Sequence, residues 1–328
     1  MAEKRVQVFY SVDDRYSPFL ATSIASLIDH TNKNRKYTIN IVHKNLNKEN
    51  KEKLKSLKST NVTIKLIEMN KSLEAITNDP NNRLNGGDVF TLTIFFRIFL
   101  PRMFIFEDKG IYIDCDTIIN DDVGKLFDID LGDNLIGGIE DKSVAHNRTF
   151  MKYLERVVGV EKGKYINSGV MLMDFKKLRK LKFDEHFLYL LNKYKFDTIA
   201  PDQDYINAML YGRIKYLDYR WNCMPTELGF SLKDPGIIHY NLFLKPWHYK
   251  VMYDKYFWNY VNASGYRKEI MRERKSYNRF GLKKSIDRFH LLIMIKRAKE
   301  LTKGNKEDNF KNVFESGREK RLWILIWK

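Results

Sequence analysis

Apolar positions along this chain follow two rhythms. VQVFYSV (6–12), YTINIVH (37–43) and VTIKLIE (62–68) are short runs rich in β-branched and aromatic residues, and they predict strands. Between them PFLATSIASLIDH (18–30) spaces its apolar residues as a helix does, and KENKEKLKSLKS (48–59) reads as a polar helix. FTLTIFFRIFL (90–100) predicts a buried helix and KGIYIDCD (109–116) a central strand. Further strands are predicted at NLIGGIE (134–140), SGVMLMD (168–174), RIKYLDY (213–219) and GIIHY (236–240). Strands alternating with helices predict an α/β domain with a largely parallel sheet.

The pattern changes after the aromatic segment YDKYFWNYVNASGY (253–266). LKKSIDRFHLLIMIKRAKEL (282–301) predicts a helix with Leu282, Ile286, Phe289 and Ile293 on one face and Lys and Arg on much of the other. The chain closes on KRLWILIWK, a short apolar patch between basic residues. Residues 266–328 carry 19 Lys and Arg against 8 Asp and Glu, which is +11 of a net +17. The expected division is therefore a main domain, 1–265, and a basic, mainly helical appendage, 266–328, that docks a membrane, a partner or the acceptor. Tryptophan with lysine suits an anionic membrane surface, and a helix packed on the domain with a solvated basic face is the alternative. Nucleic acid is not expected, since no motif for it is present.

Length and composition narrow the class. A chain of 328 residues with 44% hydrophobic and 14% aromatic content can bury a full core. Cys115 and Cys223 are the only cysteines, which argues against a disulfide framework and for a reducing compartment. The start lacks the apolar core of a signal peptide, and no run approaches the ~20 apolar residues of a bilayer span. The expectation is a cytoplasmic protein, peripheral at the inner face of the cell membrane.

Five stretches carry candidate chemistry. In IYIDCDTIIN (111–120) two aspartates separated by one residue follow an apolar run. Strand alternation would put Tyr112, Asp114 and Asp116 on one face, where two carboxylates invite a divalent cation. In SVDDRYSP (11–18), Asp13 and Asp14 lie where the first strand should end, in position for a nucleobase or ribose, or else cap the next helix. No glycine-rich phosphate loop is present. Asn167-Ser168-Gly169 opens a strand where backbone and amide can approach a ligand, or where a simple bulge would sit. Asp202 and Gln203 open a helix in PDQD, where capping alone also favours acidic residues. His239 closes an apolar strand, as a third metal ligand or a core histidine, and Lys245, six positions on, is a candidate to bind the released phosphates.

In content and order these stretches resemble the family-8 glycosyltransferases, in particular the bacterial retaining α-galactosyltransferase type that builds lipooligosaccharide. FYSVDDRY, FRIFLPRMF, IYIDCDTII, LGDNLIGG, YINSGVMLMDFKKL, PDQDYIN, WNCMPT and H-x5-KPWH carry the resemblance between residues 8 and 248. It implies a GT-A nucleotide-diphospho-sugar transferase fold, a Rossmann-like mixed sheet, to which the small helical appendage read from the charge pattern is added. It implies a UDP-hexose donor, galactose or glucose, a glycan acceptor on lipid, polymer or protein, and Mn²⁺, with Mg²⁺ as the alternative. By the same resemblance Asp114, Asp116 and His239 would hold the metal. Asp13 would face the uracil end, and Arg97, Asn167, Asp202 and Gln203 would surround the donor sugar, with Lys245 at the diphosphate. Asp14 and Ser168 join the donor-binding set as neighbours.

The resemblance also implies that Gln203 lies near the anomeric carbon; an amide is a poor nucleophile, so front-face substitution is expected, with Asp202 orienting sugar hydroxyls. Two positions depart from the family pattern. Leu242 stands where a glycine often follows the metal histidine, and Arg15 replaces a small polar residue. Two other readings stand beside this one. A haloacid-dehalogenase-like phosphatase would use Asp114 as nucleophile, although Ile118 breaks its usual D-x-D-x-[T/V] pattern. A non-catalytic UDP-sugar or glycan-binding partner protein would bind without turnover.

Overall fold

The structure, a computed structural model, describes residues 5–69, 92–225, 232–278, 282–304 and 306–322. Nine strands are present among them: β1 Val6–Val12, β2 Tyr37–His43, β3 Val62–Glu68, β4 Lys109–Ile113, β5 Thr117–Ile119, β6 Ile136–Glu140, β7 Ile166–Asp174, β8 Ile214–Tyr216 and β9 Ile237–His239. Seven form one sheet in the order β3-β2-β1-β4-β7-β6-β8, and β5 pairs with β9 in a small second sheet. β7 runs antiparallel to both β4 and β6, while the other pairings of the large sheet are parallel. The sheet is mixed.

The central strands are buried on both faces, which is why they read as near-continuous runs and not as strict alternation. Polar residues inside them find one another. Asn40 Nδ2 donates to Gln7 Oε1 at 3.0 Å, and Ser11 Oγ meets the Tyr112 hydroxyl at 2.7 Å. Successive side chains go to opposite sides of the sheet. Phe9, Tyr112, Met171 and Met173 join one core, and Val8, Tyr10, Ile111, Ile113, Val170 and Leu172 join the other.

Thirteen α-helices are described: α1 Ser17–Asp29, α2 Lys48–Ser56, α3 Phe96–Met103, α4 Val123–Phe127, α5 Lys142–Ala145, α6 Arg148–Tyr153, α7 Phe175–Lys180, α8 Phe183–Tyr194, α9 Pro201–Leu210, α10 Asp254–Tyr260, α11 Arg267–Asn278, α12 Leu282–Lys303 and α13 Phe310–Glu315. The predicted helix over 90–100 begins as a 3₁₀ turn, Leu92–Phe95, and continues as α3 through Pro101; residues 90 and 91 lie outside the described residues. The predicted strand over 109–116 ends at Ile113, so Asp114 to Asp116 form a turn. Pairing of β5 with β9 explains that early end, because the chain must leave the large sheet to reach the small one.

The basic tail shares both cores. Tyr266 and Ile270 pack with the α1 side, and Ala298, Phe310, Val313, Phe314 and Leu322 with the other. The Phe310 ring lies 4.1 Å from that of Phe196 and 4.8 Å from that of Tyr205. Packing is thus continuous across the expected boundary at residue 265. On α12, Phe289 and Ile293 face outward, 60% and 45% exposed, while Met294, Ile295, Ala298 and Leu301 pack inward. Spacing predicts that a face exists but not which surface receives it. The side chains of Leu282 and Ile286, and residues 323–328 of the terminal patch, lie outside the described residues. Among the described residues no helix is long and apolar enough to cross a membrane.

Candidate active site

The site forms at the carboxyl ends of β1 and β4, which are parallel neighbours. After β4 the chain turns through Asp114, Cys115 and Asp116 into β5, whose Thr117 lies opposite His239 of β9. Main-chain bonds fix the turn: Asp114 N donates to Gly169 O at 2.8 Å, and Tyr240 N to Asp116 O at 2.9 Å. Asp114, Asp116 and His239 thereby offer one ligand atom each within 4.8 Å of one another.

Two cations of the chain hold the outer oxygens. Arg97 Nη2 donates to Asp114 Oδ1 at 2.9 Å, with the Tyr112 hydroxyl on the same oxygen at 2.7 Å. Lys245 Nζ donates to Asp116 Oδ2 and, at 2.6 Å, to Tyr240 O. The inner oxygens, Asp114 Oδ2 and Asp116 Oδ1, lie 3.8 and 3.2 Å from His239 Nε2. Burial alone would raise the Asp116 pKa, but Lys245 and His239 outweigh it and hold the carboxyl well below the usual range. Lys245 is raised in turn, because Asp116 outweighs the desolvation of its ammonium.

Gly169 makes the cradle possible. A Cβ there would meet His239 Cε1 at 2.2 Å and Asp114 Oδ2 at 2.6 Å. Two hard carboxylate oxygens and an imidazole nitrogen, with no side chain between them, fit a divalent cation of the Mg²⁺ or Mn²⁺ kind.

The residues expected to face the donor gather beside this triad. The register of β6 against β7 shifts between Gly138 and Ile139, so Gly138 faces Met171 and Ile139 faces Asn167. The expected bulge is thus present, and Asn167, Ser168 and Gly169 beside it line the cleft. Ser168 Oγ donates to Asp202 Oδ2 at 2.9 Å and accepts from Arg97 Nη1 at 2.9 Å. Asp202 also lies 3.3 Å from Arg97 Nε, yet burial leaves its pKa raised. Gln203 Oε1 accepts from Ser168 N at 3.0 Å, and Gln203 Nε2 donates to Asp141 Oδ2 at 2.9 Å. Asp114, Asp116, His239, Arg97, Asn167, Ser168, Asp202 and Gln203 all line one cleft of about 180 Å³. Lys245 reaches that set through Asp116.

Asp13 and Asp14 stand at the end of β1 and do not line the cleft. Asp13 Oδ1 accepts from Tyr16 N at 3.0 Å, and Arg15 pairs with its other oxygen at 3.6 Å. Asp14 Oδ1 accepts from Asn47 N and Asn50 Nδ2, at 3.0 and 2.7 Å, and so braces the start of α2. Leu242 takes φ +51°, the left-handed conformation that glycine adopts readily. The loop after His239 thus keeps a glycine-like turn without glycine.

Sequence reasoning missed Asp141 and Asn222. Asp141 directly follows the strand in LIGGIED, and that position at a strand end was the available signal. Asn222 carried no signal beyond its place in WNCMPT.

Residues 7–251 match the model of a family described as Glycosyl transferase family 8. General stress protein A of Bacillus subtilis is 27% identical over 268 residues, covering 75% of this chain and 89% of its own. A lipopolysaccharide 1,2-glucosyltransferase of Escherichia coli is 27% identical over 282 residues, 79% of each chain. Among solved structures, the galactosyltransferase LgtC bound to donor and acceptor sugar analogues superposes with a TM-score of 0.64 at 20% identity, over 79% of this chain and 96% of that one. The bifunctional glycosyltransferase WbbM gives 0.68 at 24% identity, over 82% of this chain and 51% of that longer one. These likenesses show the GT-A fold.

Proposed function

The chain belongs to glycosyl transferase family 8, and from that premise we propose that it moves a hexose, galactose or glucose, from a UDP-sugar to a glycan acceptor with retention of anomeric configuration. The observation that carries the reading is the meeting of Asp114, Asp116 and His239 beside Arg97 and Lys245. Membership of this family sets the phosphatase reading aside.

Asp114, Asp116 and His239 would hold Mn²⁺, or Mg²⁺ as the alternative, which would neutralise charge on the diphosphate. Lys245 stands beside Asp116 to meet the negative charge that grows on UDP as the anomeric C–O bond breaks and its electron pair stays on phosphate oxygen. The acceptor hydroxyl arrives on the face UDP leaves, and its proton passes to the departing phosphate oxygen. Gln203 Oε1 stabilises the oxocarbenium-like sugar. Its amide is held at both ends, by Ser168 N and Asp141. Asp202, fixed by Ser168 and Arg97, orients sugar hydroxyls. Asp13, and by position Asp14 and Asn167, complete the nucleotide and sugar contacts.

We read the acceptor as a lipid-linked glycan at an anionic membrane surface, with a wall polymer or glycoprotein as alternatives. The outer face of α12 supports this. Phe289, Leu292 and Ile293 are exposed there beside Arg288, Lys296, Lys299 and Lys303. On the inner side of the same helix Met294 lines the cleft.

UDP release from a panel of UDP-sugars, with Mn²⁺ or chelator, tests the reaction. Release from UDP-galactose or UDP-glucose that needs Mn²⁺ and is abolished in Asp116→Asn is expected. UDP binding without release, even with glycan acceptors supplied, would instead make the chain a binding protein.

A further inference from the structure

His239 does not stand alone at the end of β9. Its Nδ1 lies 3.0 Å from Asn222 Oδ1, and Asn222 Nδ2 lies 3.0 Å from Asn167 Oδ1. Asn167 Nδ2 in turn reaches Asp141 Oδ2 at 3.0 Å, the oxygen that also receives Gln203 Nε2. All these side chains are buried, Asn222 completely. A row of polar groups therefore runs from the histidine of the triad to the amide at the sugar end.

The direction of that row is determined. A carboxylate only accepts, and Asp141 is met by donors on both oxygens, with Ser143 N on Oδ1 at 3.0 Å. Asn167 must then turn its NH₂ to Asp141 and its oxygen away, where Gly169 N also donates to it at 3.0 Å. Asn222 must in turn donate to that oxygen and present its own oxygen to His239. Nδ1 of His239 therefore donates to Asn222, which leaves Nε2 as the nitrogen turned to the two aspartates and to a cation between them. The same carboxylate orients Gln203, whose oxygen is left to Ser168 N and the site.

We propose that Asn222 is a positioning residue that sets the tautomer of His239 for metal binding, and that the row Asn222–Asn167–Asp141–Gln203 couples the cation site to the sugar-facing amide. The inference rests on the metal reading above and deepens it. Partners behind a metal-bound histidine fix its ring and basicity, and losing one typically costs 10–100-fold in affinity. Asn167 and Gln203 both donate to one acceptor-only carboxylate, so neither amide can turn over without setting its oxygen against Asp141, and the two ends are held against that one group.

Titration calorimetry with Mn²⁺ alone on the full chain tests this, with folding checked by circular dichroism. Asn222→Ala should bind Mn²⁺ about 10–100-fold more weakly than wild type. Asn222→Asp still offers an oxygen to Nδ1–H but has no donor for Asn167. It should recover Mn²⁺ affinity to within a few-fold of wild type while its UDP release from the UDP-hexose stays depressed. Unchanged Mn²⁺ affinity in Asn222→Ala overturns the proposal. Asn222→Asp recovering neither property overturns the tautomer role, and recovering both overturns the coupling. If Asn222→Ala does not fold, Asn222→Asp carries the same two readouts. No Mn²⁺ binding by wild type would fail the metal reading itself, and the inference with it.

Discussion

Gly169 has no room for a side chain. A methyl there would press on His239 Cε1 at 2.2 Å and on Asp114 Oδ2 at 2.6 Å, and neither neighbour is a free flexible end. Gly169→Ala should therefore fold but displace the triad, and misplacement near 1 Å costs on the order of 100-fold in rate. Steady-state UDP release checks this; loss of less than about 5-fold would show that the triad tolerates movement. At this scale the sequence was most informative where chemistry is local. The aspartates of IYIDCD announce themselves, because two carboxylates one residue apart in an apolar run need a reason. Asp141 and Asn222 did not, because their roles arise only where strand ends distant in the chain meet. Asp14 has a local role that its acidic turn does not spell out: its Oδ1 accepts from Asn47 N and Asn50 Nδ2 and so braces the start of α2.

Among the elements, α9 matters most because its first turn carries Asp202 and Gln203. Asp204, fully buried, reaches back to Ile199 N and Ala200 N at 3.0 and 3.1 Å and accepts from the hydroxyls of Tyr153 and Tyr165 at 2.8 and 2.6 Å. It caps a helix whose own N-cap residue, Ala200, has no side-chain acceptor. Burial raises its pKa, and those four donors oppose the rise. Asp204→Ala would strand buried donors and should cost about 3 kcal/mol in urea unfolding. A cost below about 0.5 kcal/mol would show that water or a shift of the helix start replaces the anchor. Most elements were legible, because β1, β2 and β7 are apolar enough to read as buried strands and α1 keeps a helical period. One was misread for a physical reason. The end of β4 is decided by the pairing of β5 with β9, which local periodicity does not contain.

Over the whole molecule, charge and packing set the tail's role. Its basic residues are concentrated after residue 265, yet Phe310, Val313 and Leu322 are fully buried in the core shared with α9. Removing the tail would uncover that core, so its surface is better tested by substitution. Phe289→Ser with Leu292→Ser should weaken co-sedimentation with phosphatidylglycerol vesicles and leave UDP release unchanged. Binding equal to wild type would remove the membrane assignment. Each basic residue near an anionic surface contributes about 1 kcal/mol, so phosphatidylcholine vesicles should bind the wild type far less. The fold itself was legible from alternation and order of motifs, while the acceptor was not, since no short motif of the chain spells it out. The central claim is that Asp114, Asp116 and His239 form a cation site for a nucleotide diphosphate. Calorimetry of UDP binding with Mn²⁺ and with chelator, for wild type and His239→Ala, tests it most directly. The account predicts tight UDP binding by wild type only with Mn²⁺, and loss of that Mn²⁺ dependence in His239→Ala. Equal UDP affinity with Mn²⁺ and with chelator in the wild type would contradict it.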